Sequence, residues 1–217
     1  MSDDMIDIVR RALGRSQPLT APPVPPVIED SVARLTPRNG NLAELFARSA
    51  VDAKCQLERV GADQVCNRVV EFLREHQCKT VGLTKSELLE RLGLHIAIEQ
   101  AGVKVVRWEE STLDAAYDLD CGITDVYAAV AETGSLVIRP TAGHGRALSL
   151  VPPIHIAIVE PASIVADLID LMEKIAASSQ VPNITLITGP SKTADIEGVL
   201  VTGVHGPGLV RVYLLTT

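Results

Sequence analysis

The sequence predicts an α/β fold: a three-layer sandwich with a mainly parallel, mixed sheet, preceded by N-terminal helices. From about residue 79 onward, short apolar strands alternate with helical segments, as in a sheet that is covered by helices on both faces. The run IHIAIV (154–159) is continuously apolar, which is typical of a strand buried on both faces. The runs VYAAVAE and SLVIR flank Thr133-Gly134 and predict a β-hairpin, so the sheet is expected to be mixed.

The first 30 residues predict a separate N-terminal region. Ile6, Val9 and Leu13 recur at helical spacing, and five prolines follow within residues 18–26. Because proline fixes φ and lacks an amide donor, residues 18–26 are expected to form an extended arm. The arm either docks on a partner subunit or is disordered. We therefore divide the chain into residues 1–30 and one α/β domain over residues 31–217.

The remaining elements follow from periodicity and capping signals. Helical spacing over 38–77 predicts two helices that Gly61 separates. Thr84 and Glu87 form a T-x-x-E capping box for the next helix, and Ser163 is expected to begin the helix SIVADLIDLMEKI. Further apolar runs predict strands at KTVGL (79–83), VKVVRW (103–108), ITLIT (184–188) and VRVYLL (210–215).

Composition excludes several classes of function. The chain has 20 Lys and Arg residues against 27 Asp and Glu, a net charge of −7, which argues against electrostatic binding to nucleic acid or anionic membranes. Aromatic residues are only 3% of the chain, too few for platforms that stack on single strands. No apolar run reaches the roughly 20 residues of a membrane helix, and no secretory signal is visible, so a cytoplasmic protein is expected.

The cysteines indicate reduced thiols rather than a metal centre. No C-x-x-C spacing occurs among the four cysteines, which are Cys55, Cys66, Cys78 and Cys121. Zinc ribbons and iron–sulfur clusters both need closely spaced thiolates, and no other group of side chains has a metal-binding spacing. We therefore expect no metal and no cofactor in this chain, so any redox centre is expected outside it.

The segment GPSKTADIE, after the predicted strand ITLIT, is the first candidate site. Gly189 permits close approach of the backbone, and Ser191, Lys192 and Thr193 place hydrogen-bond donors at a predicted helix start. In open α/β sheets, ligands bind beyond the carboxyl ends of the strands. The segment is either a pocket for an anion or an ordinary capped helix with a solvated lysine.

A second candidate is the hairpin turn Glu132-Thr133-Gly134-Ser135. A partly desolvated glutamate there could act as a nucleophile or general base, since burial raises the pKa of a carboxyl group. The alternative is a turn glutamate in solvent.

Histidines and an arginine supply the remaining candidates. Arg146 could hold a carboxylate or phosphate with two parallel hydrogen bonds, and His144 lies beside it between two glycines. His155 stands at the start of a buried strand, where a satisfied core histidine is favoured over a catalytic one. His205 lies in GVHGPG, either exposed toward a ligand or part of a structural turn.

Three segments together resemble a known family: AETGSLVI, RALSLVPPIHIAIV and ITGPSKTADIEGVLVTGVHGPG. They are similar to the lactate-utilisation protein C family, defined by the LUD domain, over about residues 38–215. The resemblance implies a domain akin to the NagB, ribose-5-phosphate isomerase and CoA-transferase superfamily. It also implies a link to oxidation of L-lactate to pyruvate together with separate iron–sulfur subunits. The positions that match the shared motifs are Glu132, Thr133, Gly134, Ser149, Pro152, Pro153, His155, Gly189, Pro190, Ser191, Thr193, Asp195, Glu197, His205, Gly206 and Pro207.

Three functional hypotheses follow. The first is an accessory or substrate-handling subunit of a lactate-oxidising system. Arg146, Gly189, Ser191, Lys192 and Thr193 would then bind a small carboxylate or phosphate, and Glu132 and His205 would be the catalytic candidates. Supporting roles would fall to Thr133, Gly134, His144, His155, Asp195 and Glu197. The second is a free-standing enzyme acting on CoA esters, sugar phosphates or a folate, with Glu132 as nucleophile or base. A pure interaction module that docks on partners, or on a second copy in a homo-oligomer, also remains open.

Overall fold

The computed structural model describes residues 3–15, 17, 34–110, 112–178, 183–194, 200–203 and 205–216. Residue contacts divide the chain into two compact units, Met1–Arg34 and Leu35–Thr217. In the first unit, helix α1 spans Asp3–Ala12 and carries Arg10 and Arg11 in its last turn, where the helix dipole favours cations. The predicted proline-rich arm at 18–26 lies outside the described residues.

The second unit contains the strands and the remaining helices. The helices are α2 Leu42–Asp52, α3 Val65–Glu75, α4 Glu87–Leu92, α5 Leu94–Gln100, α6 Ala147–Leu150 and α7 Leu168–Ala176. The strands are β1 Gln56–Gly61, β2 Thr80–Leu83, β3 Lys104–Arg107, β4 Cys121–Asp125, β5 Ala128–Val130, β6 Ser135–Ile138, β7 Ile154–Val159, β8 Ile164–Val165, β9 Thr185–Ile187, β10 Lys192–Ala194, β11 Leu200–Thr202 and β12 Leu209–Thr216.

A six-stranded sheet in the order β1, β12, β7, β4, β2, β3 forms the centre of this unit, and every neighbouring pair in it is parallel. The predicted α/β class is confirmed. β7 shows why its sequence is continuously apolar. Ile156 and Ile158 pack on one face of the sheet against α3, α4 and α5, whereas Ala157 and Val159 pack on the other face against α2 and a second sheet.

That second sheet has four strands in the order β8, β5, β6, β9. It contains the predicted hairpin: β5 and β6 are antiparallel, with Val130 opposite Ser135. The hairpin therefore lies beside the parallel sheet rather than within it. Helix α7 covers the outer face of the hairpin, where Leu171 packs against Ala128, Val130 and Val137.

The prediction of a helix up to Gly61 is wrong for residues 56–61, which form β1. This strand lies at the edge of the sheet and pairs with β12. Charged side chains are common on exposed edges and hide the strand pattern in the sequence. Arg68 on α3 donates to Glu58 at 2.6 Å, and this hydrogen bond holds the pKa of the Glu58 carboxyl group below its usual value.

Two predicted helix starts are also wrong. The N-cap of α4 is Ser86, whose extended backbone lets its Oγ accept from the Leu89 amide at 3.2 Å. Thr84 lies two residues earlier and is buried. Helix α7 begins at Leu168 with Asp167 as N-cap, not at Ser163. Between Ser163 and the N-cap Asp167, the β-branched residues Ile164 and Val165 form β8, which completes the second sheet.

Candidate functional site

Two paired glycines bring helix α6 onto the main sheet. Gly82 on β2 lies opposite Gly122 on β4. A Cβ atom on Gly82 would overlap the Leu148 side chain, and one on Gly122 would overlap the Leu148 backbone carbonyl. Because both positions lack a side chain, α6 packs directly against the strands. The loop before α6, which carries His144 and Arg146, is thereby held over the sheet.

A buried polar cluster lies beneath this loop. The His144 Nδ1 atom is 3.3 Å from Asp125 Oδ1, at the carboxyl end of β4. The neighbouring His155 is fully buried, and its Nε2 lies 2.9 Å from Thr124 Oγ1. Burial, with a smaller contribution from His144, lowers the pKa of His155 to about 3. His155 is therefore neutral at physiological pH, and its Nδ1 atom is buried without a hydrogen-bond partner among the described residues.

Arg146 lines a cleft of about 530 Å³. Arg146 is exposed to solvent there. His144, Trp108 and Leu150 line the same cleft. Gly145 lies directly against the Trp108 indole, and a Cβ atom at this position would overlap the ring carbons. The backbone between His144 and Arg146 therefore supports one side of the tryptophan.

His205 lines a second cleft, of about 390 Å³, which shares Leu150 and Val151 with the first. Its loop is fixed to the amino ends of β7 and β12, since the Gly208 amide donates to Pro153 O at 3.0 Å. The Ser191 amide donates to Pro207 O at 2.8 Å, which joins the Ser191 segment to the same loop. His205 therefore lies at the amino ends of these two strands, directly before β12 as the sequence predicts.

The turn at Glu132–Gly134 is joined to the segment before Gly189 by hydroxyl groups. Ser135 Oγ lies 2.7 Å from Thr133 Oγ1 and 2.7 Å from Thr188 Oγ1. Gly134 has a positive φ of 68° and packs against the backbone of α2 at Ala50. Gly189, with φ of 85°, packs against Ala53 at the end of the same helix. Neither position could carry a side chain without displacing α2.

The predicted helix start at Ser191–Thr193 is wrong. Lys192–Ala194 form β10, which pairs with β11 in an antiparallel hairpin, so the dipole of a helix N-terminus is not available there. Lys192 is exposed and close enough to Cys55 to influence its thiol electrostatically, although burial dominates and raises the pKa of that thiol to about 11. Asp195 and Glu197 lie outside the described residues, as does the side chain of Thr193.

The candidates therefore fall into neighbouring groups. Arg146 and His144 share the first cleft, and His205 lies in the second, next to Gly206 and thus to Ser191. Glu132 is partly buried and lines neither cleft; its amide donates to Ala166 O at 3.0 Å. Sequence reasoning missed Asp125 and Trp108. Trp108 could have been noticed as a candidate site residue, because it is the only tryptophan of the chain.

Neither a membrane-spanning helix nor a metal-binding group of side chains occurs among the described residues. No helix in this part of the chain is long and apolar enough to cross a membrane. Within the same residues, no group of three or more His, Cys, Asp and Glu side chains is arranged to hold a metal ion.

The chain is similar to known proteins in both sequence and fold. The family model of the LUD domain matches residues 43–215. A protein of Deinococcus radiodurans called lactate utilization protein C is 28% identical over 98% of this chain and 94% of its own. Another of that name, from Halalkalibacterium halodurans, is 29% identical over 76% of this chain and 75% of its own. The crystal structure of a DUF162 family protein from D. radiodurans aligns with a TM-score of 0.57 at 22% identity, covering 81% of this chain and 96% of that one.

Proposed function

Because this chain belongs to the LUD domain family, we propose that it serves in lactate utilisation, as a cytoplasmic accessory or substrate-handling subunit of an iron–sulfur system that oxidises L-lactate. The similarity to lactate utilization protein C of D. radiodurans, over nearly the whole of both chains, supports the role. The cysteines of this chain support the proposal that other subunits hold the clusters. Cys55, Cys78 and Cys121 are buried, and burial raises the pKa of the first two thiols to about 11. Thiolates are the cluster ligands, so these buried thiols favour partner subunits as the carriers of the iron–sulfur clusters.

The cleft beside Arg146 is the proposed binding site for a small carboxylate. The charge of the lining residues supports this site. Arg146 is exposed in the cleft, and no Asp or Glu is among the described residues that line it or the adjoining cleft. In a chain with a net charge of −7, an arginine in a cleft without carboxylates favours an anion. A guanidinium group binds a carboxylate through two parallel hydrogen bonds.

The test combines growth and binding. A strain that lacks this gene and any second copy is complemented with the unaltered gene, with Arg146→Gln or with Arg74→Gln, and grown on L-lactate as sole carbon source. Arg74 is an exposed residue in the last turn of α3 and serves as the charge-matched control. We expect growth with the unaltered gene and with Arg74→Gln, and slower growth with Arg146→Gln. Normal growth of the deletion strain would contradict the role in lactate utilisation.

Calorimetry on the purified chain tests the site itself, with L-lactate, pyruvate and inorganic phosphate as ligands. A hydrogen bond to a charged group contributes about 1.5–3 kcal/mol, so Arg146→Gln should weaken carboxylate binding by roughly 10- to 100-fold. Equal affinity in the unaltered protein and in Arg146→Gln would contradict the site while leaving the growth result unaffected.

A further inference from the structure

The only tryptophan of the chain lines the cleft that holds Arg146. The chain as a whole has 3% aromatic residues, and its core consists mainly of Val, Ile, Leu and Ala, with Phe46, Phe72 and Tyr213 as its buried aromatic side chains. Trp108 is not part of that main core. It is partly exposed, in a short 3-10 segment directly after β3, and it packs against the small cluster around Leu148. Its position therefore contributes more to the cleft than to the core of the sheet.

The indole is held in place from one side. Gly145 lies against the ring carbons of Trp108, and this glycine separates His144 from Arg146 along the chain. An indole supported by backbone has few alternative orientations. The orientation of the ring is consequently set before any ligand arrives, and such preorganisation lowers the entropic cost of binding.

The cleft is larger than a three-carbon acid requires. Its volume of about 530 Å³ lies in the range of roughly 300–1,000 Å³ that is usual for drug-sized ligands. Apolar side chains line it as well: Leu113 and Leu150 are 59% and 38% exposed. A ligand of lactate size fills only part of a cleft of this volume and lining.

We propose that this cleft binds an anion that carries a planar aromatic ring, with the ring stacked on Trp108 and its phosphate or carboxylate paired with Arg146. The inference rests on the proposed function for its anion site and names a second part of the ligand. Stacking of a ring on an aromatic side chain contributes about 1–3 kcal/mol per ring. The absence of Asp and Glu from the described lining residues favours the negative charge.

Trp108 also reports on its own cleft, because it is the sole source of tryptophan fluorescence. The full-length chain is titrated with two matched pairs of ligands while this fluorescence is recorded. L-phenyllactate and L-lactate differ by a phenyl ring and carry a carboxylate; AMP and ribose 5-phosphate differ by the base and carry a phosphate. In at least one pair, the ring-bearing member should change the fluorescence and bind at least 5-fold more tightly than its ring-free partner. The pair that shows this preference identifies the anionic group.

Variants separate the two contacts by calorimetry. Trp108→Leu should abolish the preference for the ring, whereas Trp108→Tyr should keep much of it. Arg146→Gln should weaken both members of the responding pair at least 10-fold, and Arg74→Gln should weaken neither. Circular dichroism of each variant establishes that it is folded.

Three results would overturn the proposal: equal affinity of the ring-bearing and ring-free members in both pairs, a ring preference that survives in Trp108→Leu, or no binding of any of the four ligands at millimolar concentration. Equal affinities that still depend on Arg146 would remove the ring from the proposal and leave the carboxylate site intact. The growth experiment on L-lactate decides the proposed function independently.

Discussion

Gly122 on β4 lies in direct contact with Leu148 on α6, and a Cβ atom on this glycine would overlap the Leu148 carbonyl oxygen. Helix α6 is the element that carries the Arg146 loop across the sheet. The contact between these two residues therefore connects the core of the parallel sheet to the wall of the proposed binding cleft.

Replacing Gly122 by alanine should destabilise the protein and displace α6. Because the overlapping atom belongs to backbone, it cannot rotate away, and such overpacking costs about 1–3 kcal/mol or more. Urea unfolding measures the free energy. Gly208→Ala is the matched control: a Cβ atom there meets nothing closer than 3.5 Å, so its free energy of unfolding should change far less. Equal stability of the two variants would contradict the close packing of α6.

The start of α4 offers a test of its cap. Ser86→Ala removes the oxygen that accepts from the Leu89 amide and should cost about 1 kcal/mol. Thr84→Val should be neutral or stabilising, since Thr84 Oγ1 is buried and has no hydrogen-bond partner among the described residues. Thermal unfolding of both variants measures the difference. A large loss of stability in Thr84→Val, with none in Ser86→Ala, would restore the capping box expected from the sequence.

His155 should make stability depend on pH. Its pKa is about 3 in the folded protein, against an ordinary value of 6.5 in the unfolded chain. The unfolded chain therefore binds more protons between these values, so this contribution to stability is complete above pH 6.5 and is lost as the pH falls toward 3. At pH 5 the loss relative to pH 7 is about 2 kcal/mol.

The variant His155→Gln removes this titration. Urea unfolding at pH 7 and pH 5 should show a smaller difference in free energy for His155→Gln than for the unaltered chain. His205→Gln, at an exposed position, provides a control that retains the dependence of the parent. Identical pH dependence in His155→Gln and the parent would assign the acid sensitivity to other groups.

Ser135 links the turn after β5 to the segment that leads to Gly189. Ser135→Ala breaks two hydroxyl contacts of 2.7 Å at a residue that is almost completely buried, and we expect a loss of about 1–2 kcal/mol. Hydrogen exchange at the Gly189 amide should accelerate as well, because the connection to Thr188 is lost. Ser178→Ala, which removes a local hydroxyl contact to Ile175 O at the end of α7, should leave exchange at Gly189 unchanged.

Local signals in the sequence were sufficient for much of the fold. β7 was recognisable because both of its faces are buried, and the β5–β6 hairpin because its turn contains Thr133-Gly134. β1 was missed because it is an edge strand with charged side chains, whose only sign of strand structure is its pairing with β12. The hairpin at Lys192–Ala194 was mistaken for a helix start for the same reason: its partner, β11, supplies the structure.

The site was less predictable than the fold. Arg146 and His144 were identified from their residue types, but their shared cleft depends on the packing of Leu148 over Gly82 and Gly122. Asp125 reaches His144 across sequence-distant segments, and no local pattern marks that contact. The spacing of residues along the chain cannot encode such an approach, because it arises from the packing of α6 and the loop before it on the sheet.

The pairing of β1 with β12 sets the order in which the protein can be completed. β1 is the first strand of this unit along the chain, whereas β12 is the last of the strands described. Until β12 has been synthesised, β1 has no neighbour among the described strands and β7 lacks one of its two, so the nascent chain presents open strand edges that invite pairing with other chains. A polypeptide truncated before β12 would therefore be inclined to aggregate rather than to form a slightly weakened protein.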